Sequence, residues 1–121
     1  MTIWEITETA LNTLGVPIAA NVMISATGVP LPDQYLVYQL ISSPPILHVE
    51  DQEDMRFYRM QVTIYNREGL ANLPEVADAM VNAGFTRSTM RELPYNIETR
   101  HYGLVMEFIY FSDSVSESES Y

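Results

Sequence analysis

Apolar residues near the start of the chain, Ile3, Ile6, Ala10, Leu11 and Leu14, recur at spacings of three and four. That period puts them on one stripe and predicts a helix from about Thr2 to Leu14. Thr2 and Glu5 form an S/T-x-x-E capping box, whose hydroxyl and carboxylate satisfy amides left free at a helix start. Gly15 supplies the left-handed position that ends the helix, and Pro17 blocks its resumption. From Val16 to Pro32 the chain is apolar but punctuated by Pro17, Gly28, Pro30 and Pro32. This predicts a short strand near Ala20 to Ser25 followed by a loop. Gln34 to Ile41 is rich in aromatic and β-branched residues and reads as a strand buried over much of both faces, ended by Ser42-Ser43-Pro44-Pro45.

The clearest alternation runs from Arg56 to Asn66, beyond a loop that carries Glu50, Asp51, Glu53 and Asp54. Tyr58, Met60, Val62 and Ile64 fall on a core face, while Arg59, Gln61, Thr63 and Tyr65 fall on a wet one. Asn66-Arg67-Glu68-Gly69 is turn chemistry. A second helix is expected from about Pro74 to Ala83, with Val76, Ala77 and Met80 inward and Gly84 closing it. Thr86 to Leu93 reads as a strand with Arg87 and Arg91 on one side, and Pro94-Tyr95-Asn96 as a turn. A long last strand spans Thr99 to Phe111, with Tyr102, Leu104, Met106, Phe108 and Tyr110 on its apolar face. His101, Gly103, Val105, Glu107 and Ile109 lie opposite, and this half-apolar face suits contact with another subunit.

These elements make an α+β fold, a mainly antiparallel sheet of four to five strands with two helices packed on one face. Residues 1–111 form a single domain. Residues 112–121, with five serines and three acids, read as a disordered acidic Ser-rich tail.

Composition narrows the function classes. With no cysteine, disulfide scaffolds and thiolate metal sites are excluded. The chain has no lysine, and six arginines against 16 acids give a net charge of -10, which disfavours a general grip on nucleic-acid phosphates. The charge is local: without Glu50, Asp51, Glu53, Asp54, Asp113, Glu117 and Glu119 the balance is six arginines against nine acids. The amino terminus lacks the basic start and apolar run of an export signal, and no stretch approaches the ~18 uninterrupted apolar residues of a membrane span.

Candidate chemistry is sparse. The acid cluster lacks the spacing, central glycine and final glutamate of a calcium loop, so a solvated loop is the preferred reading. His48 beside it and the distant His101 do not form an H-x-x-x-H pair. There is no G-x-S-x-G elbow and no glycine-rich phosphate loop, and carboxylate pairs such as Glu92 and Glu98 arise by chance among so many acids. The expectation is a non-enzyme with no cofactor and no metal. Arg56 and Arg59 follow the acid cluster directly, so they either neutralise acids of their own chain or meet those of the next copy in a head-to-tail assembly. Tyr35, Tyr38, Tyr58 and Tyr65 are open to a core-edge or an interface role.

Placed along these elements, the sequence resembles the tail-completion and tail-terminator proteins of long-tailed bacteriophages. The resemblance rests on Leu14-Gly15-Val16-Pro17, on Leu31-Pro32-Asp33-Gln34-Tyr35-Leu36-Val37-Tyr38, and on the acidic loop leading to Arg56-Phe57-Tyr58-Arg59-Met60-Gln61-Val62. Ala83-Gly84-Phe85 and His101-Tyr102-Gly103-Leu104-Val105-Met106-Glu107-Phe108 continue it, over roughly residues 1 to 111. It implies a structural protein of the virion neck that forms a ring, commonly of six subunits, at the head-proximal end of the tail. Such a ring ends tail-tube growth and joins the tail to the head connector. The implied partners are further copies of the chain, the tail-tube protein and the connector or stopper protein, with no membrane and with DNA only as passing cargo. The implied location is the virion, after assembly in the host cytoplasm. Glu50, Asp51, Glu53, Asp54, Arg56, Arg59, His101, Glu107 and Ile109 are the expected interface residues. Acids lining a channel would also repel passing DNA. Two other classes stand beside this one: an acidic DNA mimic that blocks a DNA-binding protein, and a small metal-dependent enzyme using the acid cluster with His48.

Overall fold

A computed structural model describes residues 2–24, 28–42, 45–49 and 52–112, with side chains described at 2–24, 28–41 and 57–111. The capping box forms as expected. Glu5 N–H donates to Thr2 Oγ1 at 3.1 Å and Thr2 N–H donates to Glu5 Oε1 at 2.8 Å. Helix α1 runs over Ile3–Asn12 from that cap, and Gly15 follows with φ 71°. Ile3, Ala10 and Leu11 are buried, with Ile6 and Leu14 packed beside them. Thr7 shares the stripe because its hydroxyl donates to the Ile3 carbonyl at 2.9 Å, so no polar atom is stranded there.

Strand β1 is only Ile18–Ala20, earlier and shorter than expected. Asn21 has φ 65°, a left-handed conformation that turns the chain out of the strand. Strand β2, Gln34–Ser42, pairs parallel with β1 and antiparallel with β4. The prolines after Ser42 do not end the strand structure there. Strand β3, Pro45–Val49, carries on along β4, with Pro45 opposite Arg56 and Val49 opposite Gln52. Pro45 is tolerated because it opens a strand whose neighbour lies on one side only.

Strand β4 is 15 residues long, Gln52–Asn66, and starts inside the predicted acidic loop. Its core face is the one the alternation indicated: Tyr58, Met60, Val62 and Ile64 are fully buried, each worth roughly 1.5–3 kcal/mol. The other face is less wet than expected. Thr63 is buried because, central in the sheet, it lies between Val37 of β2 and Val105 of the last strand.

Helix α2 is Val76–Asn82, with Val76 and Met80 buried and Gly84 following at φ 106°. Pro74 lies before the N-cap Glu75 instead of in the first turn. Strand β5 extends over Thr86–Asn96, straight through the predicted Pro94-Tyr95-Asn96 turn. Proline can sit there because β5 is at the sheet edge, and the turn falls one step later, at residues 97–100. A register shift between Arg87 and Met90 pairs Arg87 with Phe108 but Arg91 with Val105, so the two arginines belong to opposite faces, not one. Strand β6, His101–Ser112, lies between β4 and β5.

The sheet order is β1-β2-β4-β6-β5, with β3 continuing along β4 beyond β2. It is a mixed, mostly antiparallel sheet in an α+β fold. Both helices pack on the face that carries Leu36, Tyr38, Tyr58, Met60, Met106 and Phe108, in one core. The predicted tail from residue 113 onward lies outside the described residues. Among them, no helix is long and apolar enough to cross a membrane.

Candidate functional site

The helices cover one face of the sheet only. On the other face β4 offers Phe57, Arg59, Gln61, Thr63 and Tyr65, and β6 offers Phe111, Ile109, Glu107, Val105 and His101, in direct cross-strand register or one position apart. Phe57 faces Phe111 with ring centroids 6.2 Å apart, and Phe111 is half exposed. Ile109 is half-buried.

Arg59 and Glu107 meet on this face. Arg59 Nη1 donates to Glu107 Oε1 and to Ser88 Oγ, each at 3.2 Å, and its guanidinium lies 6.0 Å from the Phe57 ring. The two residues neutralise each other inside one chain. The sequence paired Arg59 with the acid cluster, but across the β4–β6 register Glu107 is the nearer carboxylate. Both side chains remain partly exposed, so the pair is worth only ~0–1 kcal/mol and serves more to hold β4, β5 and β6 in register.

His101, expected on an exposed face, is buried instead. Its Nε2 lies 2.9 Å from the Pro32 carbonyl, an acceptor only, which requires the N–H on Nε2. Its ring stands edge-on to Tyr35 and Tyr65, which stack on each other at 4.9 Å. Nδ1 is a buried atom without a hydrogen-bond partner among the described residues. This cluster is a structural plug where the segment before β2 crosses the sheet end. Arg67 ties the same end together: Nε donates to the Thr99 carbonyl at 2.9 Å, and Nη1 donates to the Leu31 carbonyl at 3.1 Å and to Asp33 Oδ1 at 2.7 Å.

The tyrosines resolve toward the core. Tyr58 and Tyr38 are buried, Tyr35 nearly so, and the Tyr38 hydroxyl donates to the Glu8 carboxylate, joining β2 to α1. Burial, and then the Glu8 carboxylate, push the Tyr38 phenol well above its ordinary range.

Of the other expected interface residues, Glu53, Asp54 and Arg56 are positions of β4 whose side chains lie outside the described residues, as does the β3 residue His48. Glu50 and Asp51 lie outside them altogether. Glu92 and Glu98 are both exposed, on β5 and on the turn after it. Among the described residues no three His, Asp or Glu side chains come together to hold a metal ion.

Sequence reasoning missed the outer strand. Every residue of β5 except Leu93 is exposed, including Met90 at 67% and Tyr95 at 44%, and β5 is bonded to the sheet only through β6. Ile97 in the turn beyond it is 80% exposed. An exposed apolar side chain on an unpaired strand edge is a recognised association hazard unless something covers it. A second exposed apolar stretch, Val22 and Ile24, leaves the opposite edge where Asn21 ends β1. Between the helices lies an open groove of about 420 Å³ lined by Ile6, Ala10, Ala79 and Ala83.

A scan against protein-family models returns no match for this chain, and a search of curated proteins returns none either.

Proposed function

We propose that this chain is a structural subunit that assembles head to tail into a ring at the head-proximal end of a phage tail, where it ends tube growth and joins the tail to the head connector. The observation that carries the reading is the one-sided architecture. A sheet with both helices on one face leaves a second face bearing Phe57, Ile109 and Phe111 without a helical layer. Different surfaces at its two edges, a three-residue β1 with the β3–β4 ribbon on one side and an eleven-residue β5 on the other, suit a heterologous contact that closes on itself. The sequence resemblance supplies the biological setting for such a ring. The Arg59–Glu107 pair lies within the subunit, so the interface depends on the apolar face, the edges and the acidic ribbon instead.

Light scattering or native mass measurement on the purified chain tests this directly. The expected species is a closed ring whose mass is a multiple of 13.8 kDa, six copies in the reading preferred here. Added to polymerising tail-tube protein, the ring should cap tubes and limit their length. A chain that stays at 13.8 kDa and leaves tube length unchanged overturns the proposal.

A further inference from the structure

The two edges of the sheet are complementary in length and in charge. On one side β5 offers eleven residues whose outer backbone edge has no partner strand among the described residues. On the other side β3 pairs with β4 alone, and β1, which meets only residues 36–38 of β2, does not reach it. Beyond Arg56, opposite Ser112 at the end of β6, β4 has no sheet neighbour but β3, so the two form a two-stranded ribbon clear of the rest of the sheet. Isolated two-stranded ribbons are marginal in water and gain stability when a third strand joins.

Charge gives the ribbon a direction in which to go. Its strand β4 contributes Glu53 and Asp54, whereas β5 contributes Arg87 and Arg91. Arg91 makes no ion pair among the described residues. Arg87 has one, a 3.4 Å contact with Asp78 between two largely exposed side chains, which is worth little. The ribbon cannot reach β5 of its own chain, because β4 and β6 stand between β3 and β5 in the strand order.

We propose that the β3 edge of one copy adds to the free β5 edge of the next, with Glu53 and Asp54 of the first opposite Arg87 and Arg91 of the second. This rests on the assembly reading above and names the surface that would perform it. The main-chain groups of β5 that now face solvent gain partners, and Met90 is covered. Five residues of β3 span about 17 Å, well within the length of β5. Pro94 and the charge of Glu92 limit the joint to the Thr86–Arg91 half of β5 and keep the rest of that edge from pairing at random. Because donor edge and acceptor edge differ, each copy has one of each, and the contact repeats head to tail.

Reciprocal charge reversal tests the joint. Arg87→Glu with Arg91→Glu in one variant, and Glu53→Arg with Asp54→Arg in another, each place like charges at every joint the variant can make with itself. Each variant alone should need at least about tenfold more protein to assemble than the wild type, since facing like charges cost several kcal/mol. Mixed in equal amounts, the two variants face each other with opposite charges at both joints and should recover alternating assemblies of wild-type mass. Circular dichroism checks that each variant is folded, and recovery on mixing shows it independently. An assembled wild type together with a mixture that stays dissociated, or a single variant that assembles as well as the wild type, overturns this joint while leaving the ring reading standing. A wild type that is monomeric at every concentration overturns both.

Discussion

Replacing Arg67 by methionine keeps much of the aliphatic stem and removes the guanidinium that closes one end of the sheet. Two of its three bonds go to backbone carbonyls, of Leu31 and Thr99, in segments 68 residues apart in the chain. A hydrogen bond from a charged donor is worth about 1.5–3 kcal/mol. Both acceptor residues are only half-buried, so water can replace part of what is lost, and the low end of that range applies to each. The third bond goes to Asp33, whose side chain is 75% exposed, and adds only ~0–1 kcal/mol. The expected loss for Arg67→Met is therefore about 2–4 kcal/mol, a large part of the 5–15 kcal/mol typical of a domain. In urea unfolding at fixed protein concentration, the midpoint should fall by roughly 1–3 M with an unchanged slope. Asp33→Ala should lower stability by less than about 1 kcal/mol, and the difference should shrink further in 1 M salt. Amide hydrogen exchange should accelerate in residues 28–33 and 97–100 of the Arg67 variant and not in α1. The reasoning fails if Arg67→Met costs less than about 1 kcal/mol, or if Asp33→Ala costs as much, because the carbonyl bonds would then not be the main term.

Two further perturbations probe the packing. A Cβ at Gly103 would lie 2.9 Å from Leu93 Cδ1 and 3.3 Å from both Leu93 Cβ and Tyr65 Cε1, so Gly103→Ala should cost about 1–3 kcal/mol by overpacking. Adding Leu93→Ala should recover part of that cost, and additive urea midpoints for the pair would refute the clash. Tyr38 supplies a pH dependence. Its phenol stays protonated in the fold well above the ordinary value near 10, so its contribution is complete below about pH 10 and is lost as pH rises beyond it, where the unfolded chain ionises first. Tyr38→Phe should flatten the alkaline loss between about pH 9 and 11. An unaltered alkaline slope in urea titrations of that variant would remove Tyr38 as its cause.

Local pattern carried much of this fold. The period of α1, its Thr2–Glu5 box and the two-residue alternation of Tyr58 to Ile64 each express a constraint satisfied by near neighbours, and each formed where expected. The core tyrosines were ambiguous because an aromatic strand residue looks alike in sequence whether a helix or a partner covers it. Burial of His101 was not legible: its cover, the Pro32 carbonyl and the stacked Tyr35 and Tyr65, comes from segments about 36–69 residues away. The Arg59 partner was missed for the same reason, since Glu107 is 48 residues distant and adjacent only through the β4–β6 register.

The strand limits show the boundary most clearly. Prolines at 44, 45 and 94 read as ends of strands, which is correct for a strand paired on both sides. At Pro45 and Pro94 the sheet instead places edge strands, where a missing N–H on the outer side breaks no ladder bond. Residue chemistry alone specified the helices, the core face and an α+β class, because capping and alternation act over a few residues. Strand order, the side left bare and the two unlike edges came only from tertiary pairing, because a backbone N–H acquires its partner, or is left without one, through residues far away in the chain.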